Sequence, residues 1–225
     1  MKKYLLPLAV AMILFIPAHA QDDWADFGRY REANRTVPRG APAVFMGNSI
    51  VEGWAEADPS FFADNGYVGR GIGGQVSAKM LMRFRADVLD LQPRAAVILA
   101  GTNDVTGNLG RMPPERILGN IASMAELARA HKIKVVLCAV LPIYEKGWAP
   151  GLEPAENIRK LNAMLEEYAA KNRFAYVDFH SALKGEDGMK PEYTLDGVHP
   201  SPEGYRVMES LLRPVLEKAT GRRSR

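Results

Sequence analysis

Cysteine is nearly absent: Cys138 is the single one in 225 residues, so no intrachain disulfide can form and stability must come from packing. It lies in the apolar run Val135-Val136-Leu137-Cys138-Ala139-Val140, where burial as a small apolar side chain is the better reading than a catalytic thiol. A surplus of one charge sign is lacking too. The 29 Lys+Arg stand against 26 Asp+Glu, and a net +3 gives no argument for a nucleic-acid partner. The sequence has no Cys/His cluster at metal-ligand spacing, no internal repeat and no low-complexity tract, so neither a metal nor a solenoid is expected. What remains is ordinary: 47% apolar and 24% charged residues, with 20 Gly and 15 Pro, the proportions of a globular domain with a real core.

The longest apolar run, 5–16, is about 12 residues, short of the ~20 that cross a bilayer. It follows Lys2-Lys3, is flanked by Pro7 and Pro17, and precedes Ala18-His19-Ala20. Basic, apolar, then small-x-small is the pattern of a secretory leader. We therefore read 1–20 as a signal peptide cleaved after Ala20 and the protein as exported, to the periplasm or outside the cell. No cysteine comes after the small residues, so no lipid anchor is expected. Residues 21–40 form an extension in which Trp24, Phe27 and Tyr30 recur every third residue, the pattern of a short docked helix. Residues 220–225 are a basic tail.

From 41 to 219 short apolar runs alternate with helical patterns. Strands are expected at 43–46, 67–68, 95–100, 133–140 and 174–177. Helical stripes lie at Met80/Phe84/Val88/Leu91, Ile117/Ile121/Met124/Ala128, Ile158/Leu161/Leu165/Tyr168 and Val207/Leu211/Val215. Continuous apolar strands separated by helices imply a parallel sheet covered on both faces, an α/β domain whose ligands gather at the carboxyl ends of its strands.

The residues just past each strand are therefore the informative ones. After the first strand comes Gly47-Asn48-Ser49-Ile50, after the second Gly69-Arg70-Gly71-Ile72-Gly73-Gly74, and after the third Gly101-Thr102-Asn103-Asp104. Asp196-Gly197-Val198-His199-Pro200 precedes the last helix. Each is weak alone. A Ser there is usually an N-cap, and Asn103 beside Gly101 suits a turn. The glycine run formally matches a dinucleotide fingerprint, but no acidic residue ends a strand ~20 residues later. Glycines there can instead bring a backbone N–H close to a reacting carbonyl. Of four histidines, His19 leaves with the leader and His131 sits near a helix end. His180 has Asp178 two residues before it, more simply a cap and a rim residue than a pair. His199 has Asp196 three residues before it, close enough for a tight loop to fold the carboxylate onto the imidazole.

Taken together, Gly-Asn-Ser-Ile, Arg-Gly-Ile-Gly-Gly, Gly-Thr-Asn-Asp and Asp-Gly-Val-His-Pro, in this order, resemble the four blocks of the SGNH (GDSL) hydrolase superfamily. The surrounding residues are most similar to its platelet-activating-factor acetylhydrolase-like branch, which includes bacterial carbohydrate acetylesterases. The resemblance implies a flavodoxin-like three-layer α/β/α sandwich over 41–219, with five parallel strands in order 2-1-3-4-5. It implies Ser49 as nucleophile, His199 as base and Asp196 as the residue orienting it. The Ser49 N–H, the Gly73 N–H and the Asn103 amide would form the oxyanion hole, and no cofactor would be needed. Asn48 replaces the usual Asp of the first block. The expected activity is that of an exported serine esterase releasing short, acetyl-sized acyl groups from small-molecule or saccharide esters. A thioesterase or lysophospholipase on longer chains, or a non-catalytic binding module, are the alternatives. The loops 142–153 and 179–200 show no helical apolar stripe that could form a lid, and they carry Tyr144, Trp148 and Tyr193, rings suited to a sugar face.

Overall fold

The computed structural model describes residues 23–144 and 151–221. The leader expected at 1–20, Trp148 and all but the start of the expected basic tail lie outside the described residues.

Among the described residues five strands are present, β1 (Ala43–Gly47), β2 (Tyr67–Gly71), β3 (Ala95–Leu99), β4 (Lys134–Cys138) and β5 (Ala175–Val177). All pair in parallel, in the order β2-β1-β3-β4-β5. β1 and β3 are buried at every residue, which is why they read as unbroken apolar runs. Alternate side chains feed two cores. Val44, Met46, Ala96, Ile98 and Leu137 face α4 (Ser77–Asp87), α6 (Pro114–Ala130) and α7 (Pro154–Asn172). Phe45, Val97, Leu99, Val136 and Cys138 face α2 (Ser49–Ala57), α3 (Pro59–Asn65), α8 (Phe179–Leu183) and α9 (Pro202–Thr220). The result is the three-layer α/β/α arrangement.

The second core is aromatic. Phe45 meets Trp54 edge-on at 5.6 Å, and Trp54 stacks on Phe61 at 5.5 Å and on Tyr205 at 5.7 Å. Such pairs add about 0.5–1.5 kcal/mol each beyond area burial. They seat α2, and hence its first residue Ser49, rigidly on the sheet. Cys138 is buried, and burial pushes its thiol far above the ordinary range, so it is inert at neutral pH.

Three local expectations need correction. On α9 the buried stripe is Tyr205, Met208, Leu212 and Leu216, whereas Leu211 is exposed; the apolar residues at 207, 211 and 215 lie beside that stripe. Between 21 and 40 the helix is α1 (Arg31–Thr36), which buries none of its residues, and Trp24 and Phe27 lie exposed in the turns before it. The segment docks through polar groups instead. Within 179–200, read as loop, α8 forms with Phe179 and Leu183 buried; the cap expected at Asp178 is present, its carboxylate accepting the Ser181 N–H at 2.9 Å.

Candidate active site

Every motif singled out in the sequence sits at the carboxyl edge of the sheet or in the loop leading into α9. β1 ends at Gly47, where a Cβ would come within 2.3 Å of Val51. Asn48 then caps α2, its Oδ1 accepting the Ile50 N–H at 3.0 Å. Ser49 opens the helix, so its own N–H has no carbonyl a turn earlier to donate to. β2 approaches α2 so closely that a Cβ at Gly71 would lie 2.2 Å from the Glu52 backbone nitrogen. A Cβ at Gly73 would lie 4.0 Å from that of Ser49, which places the glycine loop beside the hydroxyl.

His199 is delivered by a tight loop. Gly197 adopts φ +90, a region that favours glycine, and a Cβ there would strike Tyr144. The Asp196 carboxylate closes the loop: Oδ1 accepts the Val198 and His199 N–H groups at 2.9 and 2.8 Å. Its Oδ2 lies 2.7 Å from His199 Nδ1, and His199 Nε2 lies 2.9 Å from Ser49 Oγ. The structure thus brings Ser49, His199 and Asp196 into one hydrogen-bonded chain. Partial burial pushes the Asp196 carboxyl up, but the hydrogen bonds from His199 and Val198 outweigh it and hold the group below its ordinary value. His180 stands apart, half-buried on α8; burial lowers its pKa, against the nearby Asp178.

Asn103 lies in α5 (Thr102–Val105), just after β3. One of its amide hydrogens goes to the Gln75 carbonyl at 2.9 Å, leaving the second to point elsewhere. The third expected donor is engaged: the Gly73 N–H donates to Glu52 Oε2 at 2.8 Å, and Arg29 grips Glu52 Oε1 at 2.8 Å. The sequence reading missed Glu52. Its signal was position, since three residues after Ser49 on a helix is the same face.

Sequence reasoning also missed the contacts that hold the edge together. Arg83 is fully buried in α4. Its guanidinium donates to the carbonyls of Gly47 at 3.0 Å and Arg70 at 2.8 Å, to Gln75 Oε1 at 2.6 Å and to Asp87 Oδ2 at 2.8 Å. One side chain therefore ties the ends of β1 and β2 to the loop that positions Asn103. Asp104 does similar work, accepting the Ser77 N–H at 2.9 Å and its hydroxyl at 2.5 Å; burial raises its carboxyl, against those bonds. The segment 23–36 reaches the same loop. Tyr30 Oη donates to the Gly71 carbonyl, Gln75 Nε2 to the Ala25 carbonyl at 3.0 Å, and Arg70 Nε to Asn34 Oδ1 at 2.8 Å.

Of the other expected residues, Tyr144 is exposed against Gly197, its N–H donating to the Gly197 carbonyl at 2.9 Å. Tyr193 is half-buried against the aromatic core and anchors its loop. A groove of about 810 Å³ lies at the opposite pole, between the starts of β4 and β5 and the end of α9. Among the described residues no group of three or more His, Cys, Asp or Glu side chains could hold a metal ion. Among them, too, no helix is long and apolar enough to cross a membrane.

Residues 45–207 match the model of the GDSL-like Lipase/Acylhydrolase family. The chain is 31% identical over 182 residues to the esterase TesA of Pseudomonas aeruginosa, covering 76% of this chain and 83% of that one. It is 38% identical over 165 residues to the uncharacterized lipoprotein YqeF of Bacillus subtilis, covering 61% and 68%. Among solved structures, a GDSL-like lipase of Bacteroides thetaiotaomicron superposes with a TM-score of 0.83 at 46% identity, over 87% of this chain and 98% of that one.

Proposed function

The chain belongs to the GDSL-like lipase/acylhydrolase family and is a carboxylic ester hydrolase; on that premise we propose that it is an exported serine esterase that removes short acyl groups, acetyl above all, from hydroxyl-rich substrates such as saccharides. The observation that carries the chemistry is the chain of contacts from Ser49 Oγ through His199 to Asp196, at 2.9 and 2.7 Å. His199 Nε2 takes the Ser49 proton as Oγ bonds to the ester carbonyl carbon. The carbonyl electrons move onto oxygen, whose charge the Ser49 N–H and the second hydrogen of the Asn103 amide stabilise by hydrogen bonds, with the Gly73 N–H added once Glu52 releases it. Collapse expels the alcohol, which takes the proton from His199, and leaves an acyl-serine. Water repeats the sequence, releasing the acid and restoring Ser49. Asp196 keeps the imidazole in the tautomer whose Nε2 can accept, and offsets its charge once protonated.

The saccharide half of the proposal is supported by polar groups around Ser49, among them Glu52 and Asn103, and by the exposed ring of Tyr144 beside the His199 loop. Export is supported by the leader pattern at 1–20 and is consistent with a lipoprotein relative. Recovery of exported protein beginning at Gln21 supports it, and retention of Met1 rejects it. A second reading has its own observation. Leu195 and Leu109, on loops at the same edge, are 72% and 52% exposed and could contact a longer acyl chain. The test is kcat/KM for esters of two to twelve carbons, with acetate release from acetylated oligosaccharides alongside. The proposal predicts a maximum at two to four carbons and acetate release. A maximum at eight or beyond with no acetate released rejects it for the lipid reading.

A further inference from the structure

Glu52 occupies a place that the esterase chemistry needs. Its Oε2 accepts the Gly73 N–H at 2.8 Å, a charge-assisted hydrogen bond, so the third oxyanion donor is already spent before any substrate arrives. The carboxylate is not a loose surface group. Its side chain is only 25% exposed, and its other oxygen is held at 2.8 Å by Arg29. Arg29 is itself 54% exposed, but the segment that carries it is anchored, because Tyr30 donates to the Gly71 carbonyl and Ala25 accepts from Gln75. The glycine loop cannot retreat either. Gly71 is wedged against α2, and Ile72 donates to the Gly47 carbonyl at 3.2 Å.

This geometry sets two penalties. A developing oxyanion must compete with a carboxylate for the Gly73 N–H, and the negative charge one turn from Ser49 opposes the negative charge forming on the substrate. Both penalties fall if the substrate supplies Glu52 with a replacement donor. A free hydroxyl next to the ester, as partially acylated vicinal polyols and sugars carry, is such a donor, and an ionised carboxyl group accepts it readily. A simple alkyl ester has nothing to offer. We propose that Glu52, set in place by Arg29, is the specificity-determining residue of this site: it withholds the Gly73 N–H from esters of plain alcohols and yields it to esters whose alcohol bears a neighbouring hydroxyl. The inference rests on the esterase reading and adds to it the alcohol side of the substrate.

The test compares Glu52→Gln with the wild type on two acetates of similar size, glycerol monoacetate and propyl acetate, with circular dichroism to verify the fold. Glutamine preserves the shape and a weaker acceptor but removes the charge. The expected result is a rise in kcat for propyl acetate on the order of tenfold, with little change for glycerol monoacetate, so that the ratio between them collapses. Glu52→Ala, which removes the acceptor altogether, collapses the ratio in the same direction. A loss of kcat by the same factor on both esters would mean that Glu52 positions the loop and does not compete for it, and would overturn the inference, as would an unchanged ratio. Labelling of Ser49 by an organophosphonate separates this from the parent reading. If wild-type Ser49 takes the label while the ratio stays fixed in both variants, only the specificity role fails. If Ser49 takes no label, the esterase chemistry of the site fails and the inference with it.

Discussion

At the level of single residues, the contacts of Ser49, His199 and Asp196 form one unit, and their loss should be measured as one. Ser49→Ala and His199→Ala should each remove nearly all turnover, and the double variant should be no worse than either. Multiplicative losses would contradict the relay. Asn103→Ala should cost on the order of 10²–10³ in kcat if its free amide hydrogen serves the oxyanion. It would also release the Gln75 carbonyl, so a parallel rise in KM would point to loop displacement. The pH dependence comes from the direction of the Asp196 shift. Its carboxyl is held below the ordinary value, so its contribution to stability is present above the unfolded carboxylate range of about 3.9 and is lost as pH falls through the folded value. The difference in urea midpoint between the wild type and Asp196→Asn should therefore be largest at neutral pH and shrink as pH falls below about 3.9. A difference independent of pH would contradict the direction of the shift. Asn48 keeps one role open to an Asp at that position: its Oδ1 makes the helix cap at 3.0 Å.

Among the elements, the central strands were legible because both faces of β1 and β3, and of β4 beyond the exposed Lys134, are covered, which leaves apolar runs in the sequence. β2 was legible only at Tyr67-Val68. The rest of it, Gly69–Gly71, looks like a loop because glycine is required where the strand presses on α2. α3 was not read at all, although Pro59 at its start and Asp58 as its cap, accepting the Phe61 N–H at 2.9 Å, are the ordinary signals. Its phenylalanines, Phe61 and Phe62, give no stripe in seven residues. On α9 the buried stripe contains Gly204 and Glu209, and Glu209 is kept inside by the Trp54 indole at 3.0 Å, so apolarity alone pointed one residue aside. The candidate site was legible where a motif names a residue and opaque where a polar network supports it. Arg83 reads as one more basic residue on a helix, yet it joins β1, β2, Gln75 and Asp87. Arg83→Met should leave the Asp87 carboxylate without its cationic partner, keeping only the Asn34 amide at 2.7 Å, and should cost about 3–5 kcal/mol, read from the urea midpoint. A change below ~1 kcal/mol would mean that the edge is held by the sheet alone.

In the molecule as a whole, the sheet works as a platform with one active edge. Its two cores, aromatic on the α2 side and aliphatic on the α4 side, meet the strands from opposite faces, and the carboxyl ends carry Ser49, the glycine loop and Asn103. The segment 23–36 closes over that edge by polar contacts, which makes it part of the site and not a tether. Removing residues 23–36 takes away the Arg29 partner of Glu52 and should therefore reduce the preference for glycerol monoacetate over propyl acetate, measured well below the melting transition. An unchanged preference would mean that Arg29 does not set Glu52 in place. Everything proposed for this edge depends on Ser49 being a nucleophile activated through His199, and intact-mass analysis after exposure to an organophosphonate tests that dependence without intermediaries. One adduct per chain is expected, located on Ser49, absent in Ser49→Ala and strongly slowed in His199→Ala. A protein that takes no adduct, or takes one at a residue other than Ser49, would contradict it.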